Sequence, residues 1–384
     1  MTGSAEIAVD ADGVIELTRR LVRVRSVNDP AGPGAERDAA AVVEAAMRGF
    51  GWELVVTGAA PGRPNVVATI VGGGGDGPHL MFEGHTDVVT EGSADAWSRD
   101  PYAADVVDGR LYGRGSADMK SGVAAMLYAV KALADAGPFP GRITVGALAD
   151  EEGMMLGAKA FSVSAAAAGI DGVIVCEPEE DEVCTCSKGG VRYRIDLRGA
   201  MAHGAMPRHA RNPLPVAAAL VTGIDALQTR LQADHPEHDL LGAVYVTTTM
   251  LAGGNAEQLN VIPGAAVVGL DARTIPGVDH GALHRAIGAA AAEVTRGTAV
   301  EVEVTVVDDR PPVDTPRDHP VVTALVDAHT SVTGRPPPYG GVPGTTDGTI
   351  LTRDAGLATV VHGPGGKWIA HQVDEYVEVA AIVL

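Results

Sequence analysis

Apolar positions recur every three or four residues in VIELTRRLVRV (14–24) and again in ERDAAAVVEAAMRGF (36–50). That spacing predicts two amphipathic helices across residues 12–48, split by the breaker-rich NDPAGPG. Short β-rich runs follow: ELVVT, NVVATIV and, after the turn GGGGDGP, HLMFEGHTDVV. SGVAAMLYAVKALADAG then reads as a helix, RITVGALAD as a strand, and GVIVCEP as a buried strand after a further helix. Strands alternating with helices indicate an α/β domain with a mostly parallel central sheet.

The pattern changes near residue 188. GVRYRIDLRG alternates apolar and polar residues, as a half-exposed antiparallel strand does. A helix at about 213–230, the strands AVYVTTTML and AAVVGLDAR, a helix near 279–295 and the strand VEVEVTVV complete an α+β unit. After RPPVDTPRDHP the chain reads as helix, Gly-rich loop, the strand LATVVHG and a last helix. The predicted organisation is therefore residues 1–187 and 310–384 as one domain, with 188–309 inserted into it. No internal repeat is apparent.

Composition narrows the function classes. With 384 residues, 46% apolar, the chain can fill two cores, and aromatics at 4% point to close backbone packing. A formal charge of −20 argues against nucleic acid and anionic membrane as partners. MTGSAEIAVDADG has no basic stretch followed by an apolar one, and no uncharged apolar run reaches the ~20 residues that span a bilayer. Cys176, Cys184 and Cys186 lack CxxC spacing and read as reduced thiols of a cytoplasmic protein.

The chemistry gathers at strand ends. HLMFEGHTDVV carries His85 and Asp87, RITVGALAD runs into Glu151 and Glu152, GVIVCEP reaches Glu177, and Asp118 precedes a helix in LYGRGSADMKSG. Singly, each has an ordinary explanation: a solvated acidic turn, a hydrogen-bonded histidine, an Asp N-cap. GRGSAD lacks the third glycine of a dinucleotide loop and VGGGGDG the Lys-Ser/Thr of a P-loop, so both are turns. Yet the carboxyl ends of strands form the ligand crevice of an open α/β sheet. Five acidic groups converging there with a histidine call for a cation.

In order and spacing, GHTDVV, YGRGSADMKSG, ADEEG, CEPE and AHQVDEYVEV resemble the motifs of the M20 metallopeptidases. Within that family the chain looks most like the branch of the acetylornithine deacetylases and succinyl-diaminopimelate desuccinylases. The resemblance implies a zinc-peptidase-like catalytic domain and an inserted lid and dimerisation domain. It also implies two divalent ions, zinc first, with cobalt or manganese as alternatives. His85 and Glu177 would hold one ion, Glu152 and His371 the other, and Asp118, followed by a cis peptide bond, would bridge them. Asp87 would orient His85, and Glu151 would be the general base toward the attacking water. His203 in RGAMAHGAMP would supply an oxyanion donor across a homodimer interface. Arg273, Asn260, Gly344 and Thr345 would meet the substrate carboxylate. Lys367 stands where the desuccinylase branch tends to carry Asn, which leaves the acyl group open.

The function expected is hydrolysis of the amide bond of an N-acyl amino acid or related small carboxylate. A dipeptidase or carboxypeptidase on the same scaffold is the close alternative; a non-catalytic metal-binding or interaction protein is the alternative from another class.

Overall fold

A computed structural model describes residues 7–29 and 34–384; residues 1–6, which open the expected leaderless N-terminus, and residues 30–33 of the NDPAGPG break lie outside the described residues. By its internal contacts the chain forms two compact units. The second comprises Cys186–Asp314 with Pro343–Thr345, and the first takes the remaining described residues.

In the first unit the two amphipathic segments are helices, Ala11–Val22 and Arg37–Gly49. Asp10 caps the former by accepting the Gly13 N–H at 2.9 Å. The sheet runs Leu54–Ala60, Arg63–Val71, Arg142–Leu148, His79–His85, Gly172–Val175, Thr359–Val361 in spatial order. Its four central strands are mutually parallel. Its margins are antiparallel, where Ala60 turns directly into Arg63 and where Cys184 meets Val361. The sheet as a whole is thus mixed: a tight hairpin can join only antiparallel neighbours, whereas parallel ones need crossovers.

Apolar layers cover both faces of this sheet. Leu21, Met119, Val123, Leu127 and Val145 belong to one, and Met81, Leu148, Phe161, Val173 and Ile350 to the other. Burial on both faces explains why RITVGAL and GVIV read as continuous apolar runs. The parallel strands all finish at one edge, so His85, the Asp150–Glu152 turn and Glu177 emerge together.

The second unit is a four-stranded antiparallel sheet in the order Tyr245–Gly253, Ala265–Thr274, Gly189–Arg198, Glu301–Arg310. Val191, Tyr193, Ile195 and Leu197 face the helices Leu214–Asp234 and His280–Thr295, while Arg192, Arg194 and Arg198 lie on the open face. Asp309 links a helix to this sheet by accepting from His280 at 2.6 Å and His284 at 3.0 Å.

Several elements depart from the sequence expectation, among them these. The helix expected at 213–230 continues to Asp234. The Gly-rich stretch after residue 338 holds a short strand, Tyr339–Val342, and a helix, Asp347–Ala355. Thr346 starts that helix by accepting the Gly348 N–H, a cap hidden in PGTTDG by weak apolar periodicity. Among the described residues no helix is long and apolar enough to cross a membrane.

Candidate metal centre

His85 ends its strand and is almost fully buried. Its Nδ1 lies 3.0 Å from the Asp87 carbonyl, with the Asp87 carboxylate at 3.6 Å. Donation from Nδ1 to that carbonyl leaves the Nε2 lone pair for a ligand. Nε2 faces Asp118 Oδ1 at 3.1 Å and Glu177 Oε1 at 3.4 Å. The other oxygen of Asp118, Oδ2, lies 3.1 Å from His371 Nε2, and Glu152 Oε1 is 2.9 Å from the same nitrogen. Asp118 therefore presents one oxygen to each histidine. Ligand atoms of His85, Glu151 and Glu177 lie within 4.8 Å of one another, as do those of His85, Asp118 and Glu152.

The ADEEG triplet separates into three environments. Asp150 has a left-handed φ of 71° and is buried. Its carboxylate accepts from Asn28 at 2.8 Å and from the N–H groups of Met154 and Leu156, and pairs closely with Arg63. Glu151 is buried and faces His85 and Glu177, whereas Glu152 reaches His371. The Asp87 carboxylate holds the turn by accepting the N–H groups of Glu151 at 3.2 Å and Glu152 at 3.1 Å, plus Asn28 at 2.8 Å.

The approach to Asp118 is equally specified. The Asp118–Met119 peptide is cis. Glu375 accepts the N–H groups of Ala117 at 2.9 Å and Asp118 at 3.1 Å, and is paired with fully buried Arg114. Arg114 also donates to the His371 carbonyl at 3.3 Å, so one guanidinium braces both sides of the bridge. Glu177 is placed by backbone contact. An added Cβ at Gly122 would lie 2.0 Å from the Cys176 carbonyl oxygen, and one at Gly363 2.3 Å from it.

Electrostatics favour a cation here. Burial, then the nearby Asp118 charge, pushes Glu177 up to about 8. Burial also raises Glu151 well above the carboxylate range, with His85 opposing and Glu152 and Glu177 adding to it. Asp118 is held low, against the effect of burial, by hydrogen bonds from His371 and His85. His371 rises to about 11 through its bonds to Asp118 and Glu152. Four carboxylates on two imidazoles, mostly withdrawn from water, form a donor set that fits a pair of divalent cations. A further grouping, Glu179, Glu182 and Cys184, already holds a cation of its own in Lys367, whose Nζ lies 2.5 Å from Glu179 and 2.8 Å from Glu182.

Asn28, Arg63, Arg114 and Glu375 were missed as supporting residues. Arg114 and Glu375 lie inside YGRGSADMKSG and AHQVDEYVEV, and charged residues next to a ligand were the available clue.

The remaining expected site residues lie in the second unit. His203 is exposed on a two-residue strand pairing with Val261. Its Nδ1 accepts the Ala205 N–H at 3.0 Å, so in the neutral ring the proton sits on Nε2. Asn260 is exposed, and its carbonyl accepts the Gly204 N–H at 2.6 Å, which holds it beside His203. Arg273 pairs with Asp271 through Nε at 2.6 Å and Nη2 at 3.2 Å. Gly344 is half-buried, and Thr345 accepts from Arg310 at 3.3 Å.

A sequence profile of peptidase family M20/M25/M40 matches residues 81–384. The chain is 35% identical to the succinyl-diaminopimelate desuccinylase of Phenylobacterium zucineum (strain HLK1), over 96% of this chain and 93% of that one. Its fold is similar to that of an M20 family metallo-carboxypeptidase, Sso-CP2 of Sulfolobus solfataricus, with a TM-score of 0.78 at 18% identity over 96% of each chain. It is also similar to the YXEP protein of Bacillus subtilis, described as a dinuclear metal binding peptidase from the M20 family. There the TM-score is 0.73 at 16% identity, over 97% of this chain and 94% of that one. Ordered motifs, donor geometry and family profile agree: the chain belongs to peptidase family M20/M25/M40 and is a metal-dependent amide hydrolase.

Proposed function

We propose that the protein hydrolyses the amide bond linking an acyl group to the nitrogen of an amino acid or a related small carboxylate. The observation that carries this reading is Asp118, whose two oxygens face His85 and His371 separately at 3.1 Å each. His85 with Glu177, and His371 with Glu152, would complete two cation sites, zinc first by donor type, with cobalt or manganese possible. When bound, such a pair supplies Lewis acidity toward the scissile carbonyl and the attacking water.

The chain's own residues do the rest. Glu151 takes the proton of the attacking water on its carboxylate and returns it to the leaving amine. Asp87 keeps Glu151 and Glu152 in one turn through their N–H groups. His203 offers an exposed Nε2–H to the developing oxyanion. Arg273, Asn260, Gly344 and Thr345 bind the carboxylate. The reading includes a homodimer in which 188–309 is the lid and pairing domain and 1–187 with 310–384 the catalytic one. It also includes a cytoplasmic location.

The test is metal content together with turnover of N-acetyl, N-succinyl and N-formyl amino acids beside a dipeptide set. Metal-dependent release of the amino acid from an N-acyl substrate is expected. Cleavage of dipeptides alone would move the reading to a dipeptidase or carboxypeptidase.

A further inference from the structure

Two adjacent glycines open the Gly189–Arg198 strand, and they differ in what requires them. At Gly189 packing does: an added Cβ would lie 2.3 Å from the Thr274 hydroxyl and 2.7 Å from the Arg310 carbonyl. Gly190 has no left-handed φ, and its added Cβ would only touch Thr345 Cγ2 at 3.7 Å and Arg273 Nη1 at 3.8 Å. It pairs in unbroken register with Arg273 on one side and Arg310 on the other. Neither backbone conformation nor steric crowding demands glycine there. A glycine inside a strand weakens it relative to alanine, and where the fold does not require one it often marks a close approach by a ligand or another backbone.

The surroundings say which ligand. Two residues on, Arg192 sits opposite both Asp271 and Asp308, at 3.8 and 3.9 Å, so Arg192, Arg273 and Arg310, with these two aspartates, are the charged residues of the open face nearest Gly190. Arg273 engages Asp271 with Nε and Nη2, which turns Nη1 toward the space over Gly190. Arg310, fixed by Asp308 at 2.6 Å, donates to Thr345 Oγ1 at 3.3 Å and so holds Thr345 at the other wall. Because Thr345 accepts from Arg310, its own O–H proton is free to donate. The Arg273 Nη1 edge flanks this bare backbone on one side and the Thr345 side chain, methyl inward and hydroxyl toward Arg310, on the other; a guanidinium edge beside open backbone suits a carboxylate.

We propose that Gly190 is a specificity-determining position, its missing side chain making room for a substrate carboxylate between Arg273 and Thr345, with Arg310 the positioning residue for Thr345. The proposal rests on the N-acyl amino acid reading and adds the residue that sets access to the carboxylate. Gly190→Ala and Gly190→Val would be compared with the wild type, all metal-loaded, by calorimetric binding of succinate and N-acetylglycine, by melting temperature and by steady-state kinetics. Each acid should bind about tenfold more weakly to Gly190→Ala and about a hundredfold more weakly to Gly190→Val. Neither melting temperature should fall, since both side chains suit a strand better than glycine. KM for an N-acyl amino acid should rise with kcat changed by no more than about twofold, the signature of lost ground-state binding. Arg310→Met should weaken both acids and Arg310→Lys should restore part of the loss. Wild-type affinity in Gly190→Val, or in Gly190→Ala if the valine variant does not fold, would overturn the proposal, as would no binding to the wild type. Gly190-dependent binding without amide turnover would sink the functional reading and keep this one; turnover indifferent to residue 190 would do the reverse.

Discussion

Asp150, Glu151 and Glu152 are consecutive carboxylates with three different sets of partners, and each set predicts a different mutant. Asp150 is a structural anion: Arg63 is its cation and also that of Glu36, which burial raises to about 7. Arg63→Met would leave two acids buried without a cation and should cost about 3–5 kcal/mol of stability, read as a fall in denaturation midpoint. Glu151 touches the cluster without reaching His371. Glu151→Gln should therefore keep its metal and lose roughly 10²–10⁴-fold in kcat. Glu152→Gln removes one of the two carboxylate partners of His371 and should lower metal stoichiometry by elemental analysis. Metal lost from the first variant and retained by the second would reverse the two assignments. Lys367 also has a residue-scale explanation. It pairs with both Glu179 and Glu182, a local electrostatic demand.

At the scale of elements, the centre depends on how tightly the helix Ser121–Ala136 meets the end of the Gly172–Val175 strand. Gly122 touches the Cys176 carbonyl, and Asp118 and Glu177 sit on either side of that contact. Neither backbone segment can yield as a flexible side chain could. Gly122→Ala should push helix and strand apart, cost about 1–3 kcal/mol and weaken metal binding together with stability. Unchanged metal affinity and melting temperature in that variant would show that the contact is slack. The Arg114–Glu375 pair acts at the same scale, since it joins the Ala117–Asp118 backbone to the segment carrying His371.

For the whole molecule, the carboxylate cluster predicts that chelation abolishes turnover and that zinc or cobalt restores it. Full activity in rigorously metal-free protein would end the two-cation reading. The proposed homodimer predicts complementation between His203→Ala and Glu151→Gln, each nearly inactive alone. In a mixed dimer the His203→Ala subunit keeps Glu151 and receives intact His203 from its partner, so one site in two is whole. Random exchange of equal amounts should then recover about a quarter of wild-type activity. No recovery despite proven subunit exchange, or a fully active monomer by sedimentation, would rule out the arrangement.

Several features were legible in the chain itself because they are local. Amphipathic spacing located the helices Ala11–Val22 and Arg37–Gly49, and continuous apolar runs located the strands whose ends carry His85, Glu151 and Glu177. Ordered motifs pointed to the family. Other features arise from residues far apart in sequence, and no periodicity reports them. The Thr346-capped helix depends on a single hydroxyl, the antiparallel sheet margins on which strands become neighbours, and the service of Arg63 to both Glu36 and Asp150 on side-chain reach. The same holds for Asp118. Sequence marked it as an acid before a helix, but only folding turned its two oxygens toward His85 and His371, 33 and 253 residues away. Residue types are written along the chain, whereas bridging is a matter of distance and direction, which exist only once the strand ends and the His371 loop are brought together.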